Sequence, residues 1–138
     1  MTTPDTATIR IAVVGAHLSG MPLNSQLIER QAILIGEAET APDYAFFALP
    51  GTVPPKPGLL RIDAGKGWRI ALELWEMPLA HYGSFVSIVP APLSIGTLKL
   101  SDGSSVQGFL CEHKATEGAL DISHLGGWRA YLASRQPG

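Results

Sequence analysis

The sequence predicts an α+β fold, in which a small, mixed, mostly antiparallel sheet curls into a barrel-like core with short helices on its flanks. The sequence contains six or seven short strand-like runs and only three brief helical runs. Most of these strands follow one another without a crossover helix, which argues against a doubly wound parallel sheet. The dipeptide Asp102-Gly103 lies between two apolar runs. It predicts a hairpin, because both residues tolerate the positive φ of a type I′ turn.

The first elements are predicted by apolar runs and by the polar residues that end them. Residues 9–14 form a strand that stops at a loop rich in small residues. A short helix follows over residues 26–30, with Asn24 or Ser25 as its N-cap. Residues 32–40 begin apolar and then alternate, which is typical of a strand that leaves the core at its polar end.

Prolines and glycines divide the middle of the chain. Residues 44–49 are aromatic and bounded by prolines, which favours a short strand. Residues 50–58 (PGTVPPKPG) hold too many prolines for a helix or a central strand, so they predict a loop folded over the surface. Strands follow over residues 58–62 and 68–77, separated by a glycine turn.

The chain after residue 77 is predicted to continue with a helix. Pro78 opens that helix, because proline is well suited to a first helical position. The predicted hairpin pairs residues 97–100 with residues 106–111. A final short helix follows, with Asp121 or Ser123 as its N-cap.

Composition bounds both the size and the partners of the protein. The 138 residues, 46% of them hydrophobic, suffice for one domain over residues 9–134, with tails at 1–8 and 135–138. The net charge of -2 and the scattered cations disfavour nucleic acid and membranes as partners. One cysteine, no signal peptide and no spanning run predict a cytoplasmic protein.

The opening loop is the candidate site. His17 can exchange a proton near neutral pH, and the loop amides around it can bind a carboxylate, although a solvated loop histidine is the alternative. Lys56, held between prolines, can supply positive charge to an anion or simply be exposed. The other histidines lack the spacing of a zinc site, so we expect no metal and no cofactor; they are His81, His113 and His124.

Carboxylates and the single thiol are weaker candidates. The strand at 68–77 places Ile70, Leu72 and Leu74 on one face and Glu73 on the other. Glu73 and Glu76 therefore cannot form an acid–base pair. Glu76 at the end of the strand either points into the site or forms a structural salt bridge. Cys111 is predicted to be a buried small side chain rather than a nucleophile.

Six segments in order strongly resemble the C-terminal domain of allophanate hydrolase, among them VVGAHLSGMPLNSQL at 13–27, TAPDYAFFALPG at 40–51 and DISHLGGWRAYLAS at 121–134. The resemblance extends from residue 9 to residue 134. It implies a gamma-glutamylcyclotransferase-like fold. In that superfamily a loop after the first strand binds the substrate carboxylate, and here it corresponds to residues 14–18. The superfamily's general-base glutamate has no counterpart in FVSIVPAPL, which disfavours cyclotransferase activity.

The resemblance implies processing of N-carboxycarbamate, or of a related small carboxylated amine, to ammonia and carbon dioxide, with His17 as the proton donor. The residues expected to bind the substrate or to line its pocket are Gly15, Ala16, Leu18, Asn24, Tyr44, Lys56, Glu76 and Ser84. The family's amidase domain has no counterpart in this sequence. The chain is therefore expected to work beside a separate amidase. The alternative is a non-catalytic module that either forms oligomers, such as a homodimer, or docks on an amidase. Exposed Trp and Pro segments favour this alternative.

Overall fold

The computed structural model describes residues 7–135, which form two sheets and a few short helices. The strands are β1 (Thr8–Val13), β2 (Ile33–Glu39), β3 (Tyr44–Ala48), β4 (Pro57–Arg61), β5 (Ala71–Pro78), β6 (Leu93–Lys99), β7 (Ser105–Cys111) and β8 (Leu120–Asp121). The α-helices are α1 (Ser25–Ile28), α2 (Tyr82–Ser87) and α3 (Trp128–Arg135). The α+β class and the mostly antiparallel pairing are confirmed, but the sheets do not close into a barrel.

The larger sheet has the strand order β2-β5-β1-β7-β6, with β1 at its centre. β1 pairs antiparallel with β5 and parallel with β7. Ile11, Ala12 and Val13 have no exposed surface, as expected for an apolar run between two neighbouring strands. The chain leaves β1 from the middle of the fold, so the loop that follows starts beside the core.

The smaller sheet has the order β4-β3-β8 and is antiparallel throughout. It packs on the larger sheet through β4 and β7, where Gly58 lies against Cys111. A Cβ on Gly58 would lie 2.7 Å from the Cys111 sulfur, so this close approach requires glycine. The shared core contains Phe46, Leu59 and Phe85, all at most 1% exposed.

One detail of the predicted strands is wrong, and the burial of another strand is not predicted. The apolar start of β2 does not lie in the core, since Ile33 is 67% exposed and Leu34 and Ile35 are 44% exposed. β2 is an edge strand, and a bulge between Leu34 and Gly36 shifts its register against β5. On β5 both faces carry buried residues, because Glu73 is buried as well as Leu72.

The predicted hairpin is confirmed, with longer arms in β6 and β7. Its turn is not type I′, which needs two residues with positive φ. Gly103 has a φ of 91°, whereas Asp102 is not among the residues with positive φ. Asp102 instead accepts a hydrogen bond at Oδ1 from the Ser104 N–H at 2.9 Å. Five residues, 100–104, connect the strands, and the Leu100 N–H donates across the turn to the Ser104 carbonyl at 2.8 Å.

The end of the chain contains one more strand than the sequence predicts. β8 pairs with β3, and a single 3-10 turn, Ser123–Leu125, follows it. Gly126, at a φ of 79°, ends that turn, and α3 begins at Trp128. Trp128 and Trp75 are buried rather than exposed, while Trp68 is 41% exposed.

The predicted tails fall mostly outside the described residues. Residues 1–6 and 136–138 lie beyond that range, whereas Thr8 already belongs to β1. The division at residues 9 and 134 remains a prediction. No helix within residues 7–135 combines the length and the apolar character needed to cross a membrane.

Candidate functional site

The loop from β1 to α1 is tied down by its own hydrogen bonds. The N–H of Leu18 donates to the carbonyl of Gly15 at 3.0 Å, and the N–H of Leu23 donates to that of Ala16 at 2.8 Å. Asn24 is the N-cap of α1, yet its side chain makes no cap bond. Its Nδ2 instead donates to the carbonyl of His17 at 2.8 Å. Asn24 therefore holds the loop that carries His17.

His17 is a buried residue rather than a solvated loop histidine. Only 7% of its surface is exposed. Its imidazole stacks on Phe109, with ring centroids 4.9 Å apart and planes at 29°, and meets Phe85 edge-on at 5.4 Å and 74°. Nε2 lies 2.6 Å from Oε1 of Gln26. Two aromatic rings and one amide therefore fix both the plane and the direction of the imidazole.

The surroundings of His17 favour its neutral form. Burial lowers the pKa of the His17 imidazole below its usual value. The hydrogen bond to Gln26 opposes that effect, and the positive charge of Lys56 adds to it. Because an amide oxygen only accepts hydrogen bonds, its contact with Nε2 is a hydrogen bond when the ring proton is on Nε2, and Nδ1 of the neutral ring then carries a lone pair.

His17 and Lys56 line the same cavity. Its free volume is about 20 Å³, which is room for about one water molecule. Its lining residues are Val14, Gly15, Ala16, His17, Lys56, Pro57, Leu93 and Phe109. Lys56 is 9% exposed, and its ammonium forms no ion pair within residues 7–135. The cavity is thus a small apolar space with one positive charge.

Two features at the cavity wall suit an anion. Within residues 7–135 the backbone N–H groups of Ala16 and His17 donate to no acceptor, and both residues line the cavity. Gly15 lies directly against the ring of Pro57, and a Cβ at Gly15 would come within 2.5 Å of Pro57 Cγ. The loop can therefore approach β4 this closely only with glycine at position 15.

Several predicted site residues lie elsewhere. The Tyr44 hydroxyl accepts the N–H of Lys99 at 3.0 Å, whereas Leu93, at the opposite end of β6, lines the cavity. Six residues of strand span roughly 20 Å. Ser84 is exposed on α2, where its Oγ accepts from Arg30 Nε at 2.9 Å. The structure therefore does not bring Tyr44 or Ser84 to the His17 cavity.

Glu76 and Leu18 also lie outside the cavity. Glu76 is half-buried on β5, and its carboxylate pairs with Arg10 on β1 at 3.5 Å, which is the structural salt bridge that the sequence left open. Leu18 lines a larger cleft of about 500 Å³ beside α3.

The acid that does meet the opening loop is Glu73. Its Oε1 accepts the Ser19 N–H at 2.8 Å and Trp75 Nε1 at 3.1 Å. Its Oε2 accepts the Ser19 hydroxyl at 2.8 Å and Arg129 Nη2 at 3.0 Å. Burial alone raises the pKa of the Glu73 carboxyl, but these hydrogen bonds outweigh it and hold that pKa below its usual range. Glu73 thus anchors the loop two residues after His17.

Sequence reasoning missed the roles of Gln26, Glu73 and Phe109. A signal for Glu73 exists, since antiparallel pairing of β1 with β5 sets Val13 opposite Glu73, next to the loop. Gln26 and Phe109 carry no comparable signal, because their contacts with His17 depend on how α1 and β7 pack. Within residues 7–135 no three His, Cys, Asp or Glu side chains are grouped to hold a metal ion.

Comparison with known proteins identifies first the fold of this chain and then its family. A gamma-glutamyl cyclotransferase, 11% identical, superposes with a TM-score of 0.57 over 83% of this chain and 70% of its own. That likeness concerns the fold alone. The family model for the allophanate hydrolase C-terminal domain matches residues 9–133. The chain therefore belongs to the allophanate hydrolase C-terminal domain family.

Three relatives illustrate the family. Urea amidolyase of Saccharomyces cerevisiae is 42% identical over 127 residues, which make up 90% of this chain and 7% of that protein. Kluyveromyces lactis allophanate hydrolase has 37% identity and a TM-score of 0.90 over 99% of this chain and 23% of its own. A uropathogenic E. coli-specific protein has 33% identity and a TM-score of 0.85 over 95% of this chain and 100% of its own. This chain spans less than a quarter of the two named enzymes.

Proposed function

We propose that the His17 cavity processes a small carboxylated amine such as N-carboxycarbamate, releasing carbon dioxide. The observation that carries this proposal is the meeting of His17 and the buried Lys56 in one cavity. Family membership supports it, because relatives in this family are allophanate hydrolase and urea amidolyase.

The charge of the cavity favours a small anion. A lysine ammonium without an ion-pair partner and backbone N–H groups without an acceptor attract negative charge in a site with little water to screen it. N-carboxycarbamate, with two carboxylates on one nitrogen, meets this requirement. The free volume of the cavity is about 20 Å³, so its walls must move apart to admit even so small a substrate.

Each decarboxylation in the proposed reaction breaks one C–N bond. The electron pair of that bond stays on nitrogen as carbon dioxide leaves, and nitrogen takes one proton from His17. The dianion and the proton thus give carbon dioxide and carbamate, which loses its own carbon dioxide in the same way to give ammonia. Lys56 holds the carboxylate that remains, because its positive charge offsets the negative charge that develops on nitrogen.

The protonation of His17 follows from the charge of the substrate. In the free protein the lowered pKa keeps His17 neutral at pH 7. A bound dianion favours the imidazolium, since a nearby opposite charge raises the pKa of a histidine. We therefore expect His17 to gain a proton at Nδ1 when the substrate binds and to pass it to the nitrogen.

The test measures carbon dioxide release in the presence of an amidase that generates the substrate from allophanate. The blank is the amidase alone, because N-carboxycarbamate also breaks down spontaneously. Wild-type protein is expected to accelerate release above the blank, and His17→Asn is expected to match the blank with its fold unchanged by circular dichroism. His113→Asn, on an exposed surface, is the matched control. Equal acceleration by wild type and His17→Asn would contradict the proposal.

A second candidate function is a non-catalytic module that docks on an amidase. The exposed Ile33, Leu34 and Ile35 favour it, because an edge strand offers both apolar side chains and unpaired backbone groups. Leu34→Lys should then abolish capture by an amidase, while Val53→Lys, 90% exposed on a distant loop, should leave it intact. A protein that stays monomeric in sedimentation and ignores the amidase argues against docking and against a homodimer.

A further inference from the structure

Gln26 makes the closest polar contact of the His17 ring. Its side-chain Oε1 lies 2.6 Å from Nε2, although nine residues separate the two in the chain. Nε2 thereby points at α1, and Gln26 is not part of the cavity lining that contains His17. Within residues 7–135, Nδ1 has no hydrogen-bond partner, so it is the ring nitrogen left for a ligand.

The backbone of Gln26 is itself held in place. Arg30 Nη1 donates to the Gln26 carbonyl at 3.0 Å, and Arg30 Nε donates to Ser84 Oγ on α2 at 2.9 Å. The next residue, Leu27, is fully buried. Because the backbone of Gln26 is held in this way, its side-chain amide starts from a fixed point. It can therefore set the direction of the His17 ring.

We propose that Gln26 is the positioning residue of His17: it keeps the ring proton on Nε2 and presents the Nδ1 lone pair to the cavity. The proposal rests on the function proposed for His17. An amide oxygen accepts and does not donate, so only the Nε2–H tautomer satisfies this contact. The same bond persists when Nδ1 is protonated, and it therefore supports the imidazolium without competing for the substrate.

The other neighbours of the ring cannot perform this task. Phe85 and Phe109 fix its plane but carry no acceptor for a ring N–H. Lys56 is the charged side chain that lines the cavity with His17, and an ammonium only donates. With Gln26 removed, either ring nitrogen can carry the proton, and the tautomer is no longer specified.

The test reads the tautomer directly by two-bond 1H–15N correlation of the imidazole, without any substrate. Wild type is expected to show the Nε2–H pattern, and Gln26→Leu is expected to show a mixture of both tautomers. Gln26→Glu should restore the Nε2–H pattern and raise the pKa of His17, because a carboxylate also accepts and adds negative charge. Ser25→Ala, an exposed change on α1, should match wild type.

Carbon dioxide release supplies a second readout. Gln26→Leu is expected to lower kcat between about 10- and 100-fold with a smaller change in KM, as a misplaced catalytic group does. A wild-type Nδ1–H tautomer, or an unchanged tautomer in Gln26→Leu, overturns the role of Gln26. A tautomer that switches as expected in a protein that does not accelerate release instead overturns the proposed function and leaves the orienting role of Gln26 standing.

Discussion

Replacing Glu73 by glutamine removes the charge that joins the opening loop to β5 and α3. In the wild type, Oε2 accepts both the Ser19 hydroxyl and Arg129 Nη2. Glutamine can keep one acceptor oxygen, but its amide nitrogen then faces the N–H of Arg129 as a second donor. We therefore expect Glu73→Gln to detach Arg129 and to loosen Ser19.

The expected cost follows from the bonds that are lost. A hydrogen bond to a charged group contributes about 1.5–3 kcal/mol when its partner is buried. The Ser19 bonds are part-buried, whereas the Arg129 side chain is 49% exposed and solvent screens its share. We expect the free energy of unfolding to fall by roughly 2–3 kcal/mol, with a Tm lower by roughly 6–15 °C.

Urea denaturation followed by tryptophan fluorescence measures this loss. Glu76→Gln is the matched control, because Glu76 lies on the same strand in an exposed pair with Arg10 at 3.5 Å. Such a pair contributes about 0.5 kcal/mol. Equal losses in Glu73→Gln and Glu76→Gln would refute the role assigned to Glu73.

Three further predictions concern the buried groups. Because the pKa of folded His17 is lowered, the unfolded chain takes up its proton first, so the free energy of unfolding should fall below pH 6.5 by up to about 1.4 kcal/mol per pH unit. Urea titrations of wild type and His17→Asn at pH 7.5 and 5.5 measure this contribution, and identical pH slopes would contradict it. Burial raises the pKa of the Cys111 thiol to about 11. A thiol-specific disulfide reagent at pH 8 should therefore react with it only after unfolding, and rapid reaction in the native state would count against this. Gly15→Ala should cost about 1–3 kcal/mol in a denaturation assay, because its methyl group meets Pro57. Gly83→Ala, where a Cβ meets nothing within 4 Å, should cost less; equal losses would argue against the close contact.

The sequence predicts strands well where burial follows the apolar pattern. β1 and β3 fall close to their predicted bounds because both are apolar runs with clear breakers. The exposure of β2 is not predictable in this way. An apolar run such as Ile33 to Ile35 gives the same sequence pattern whether the strand lies at the centre or at the edge of a sheet. The type of the hairpin turn is also not specified by the Asp-Gly dipeptide, since the Asp102 side chain accepts the Ser104 N–H and only Gly103 of the pair takes a positive φ.

The candidate site is predicted in its loop but not in its walls. His17 and Lys56 line one cavity, next to the contact between Pro57 and Gly15, and their role in binding a substrate stays a prediction. The sequence points to Glu76, but the buried acid is Glu73. Strand alternation assigns residues to two faces, but it does not show which face contacts the loop. Pairing of β1 with β5 decides that question, and one sequence alone does not specify it.

Titration of His17 with and without malonate tests the central claim most directly. Malonate carries two carboxylates on one carbon and so resembles N-carboxycarbamate without its labile nitrogen. The pH dependence of the His17 ring signals in NMR gives the pKa in each state. We expect malonate to raise that pKa in wild type, and Lys56→Met to weaken malonate binding. A His17 pKa that malonate leaves unchanged at saturation, or signals that move only around other histidines, would contradict an anion site at His17 and Lys56.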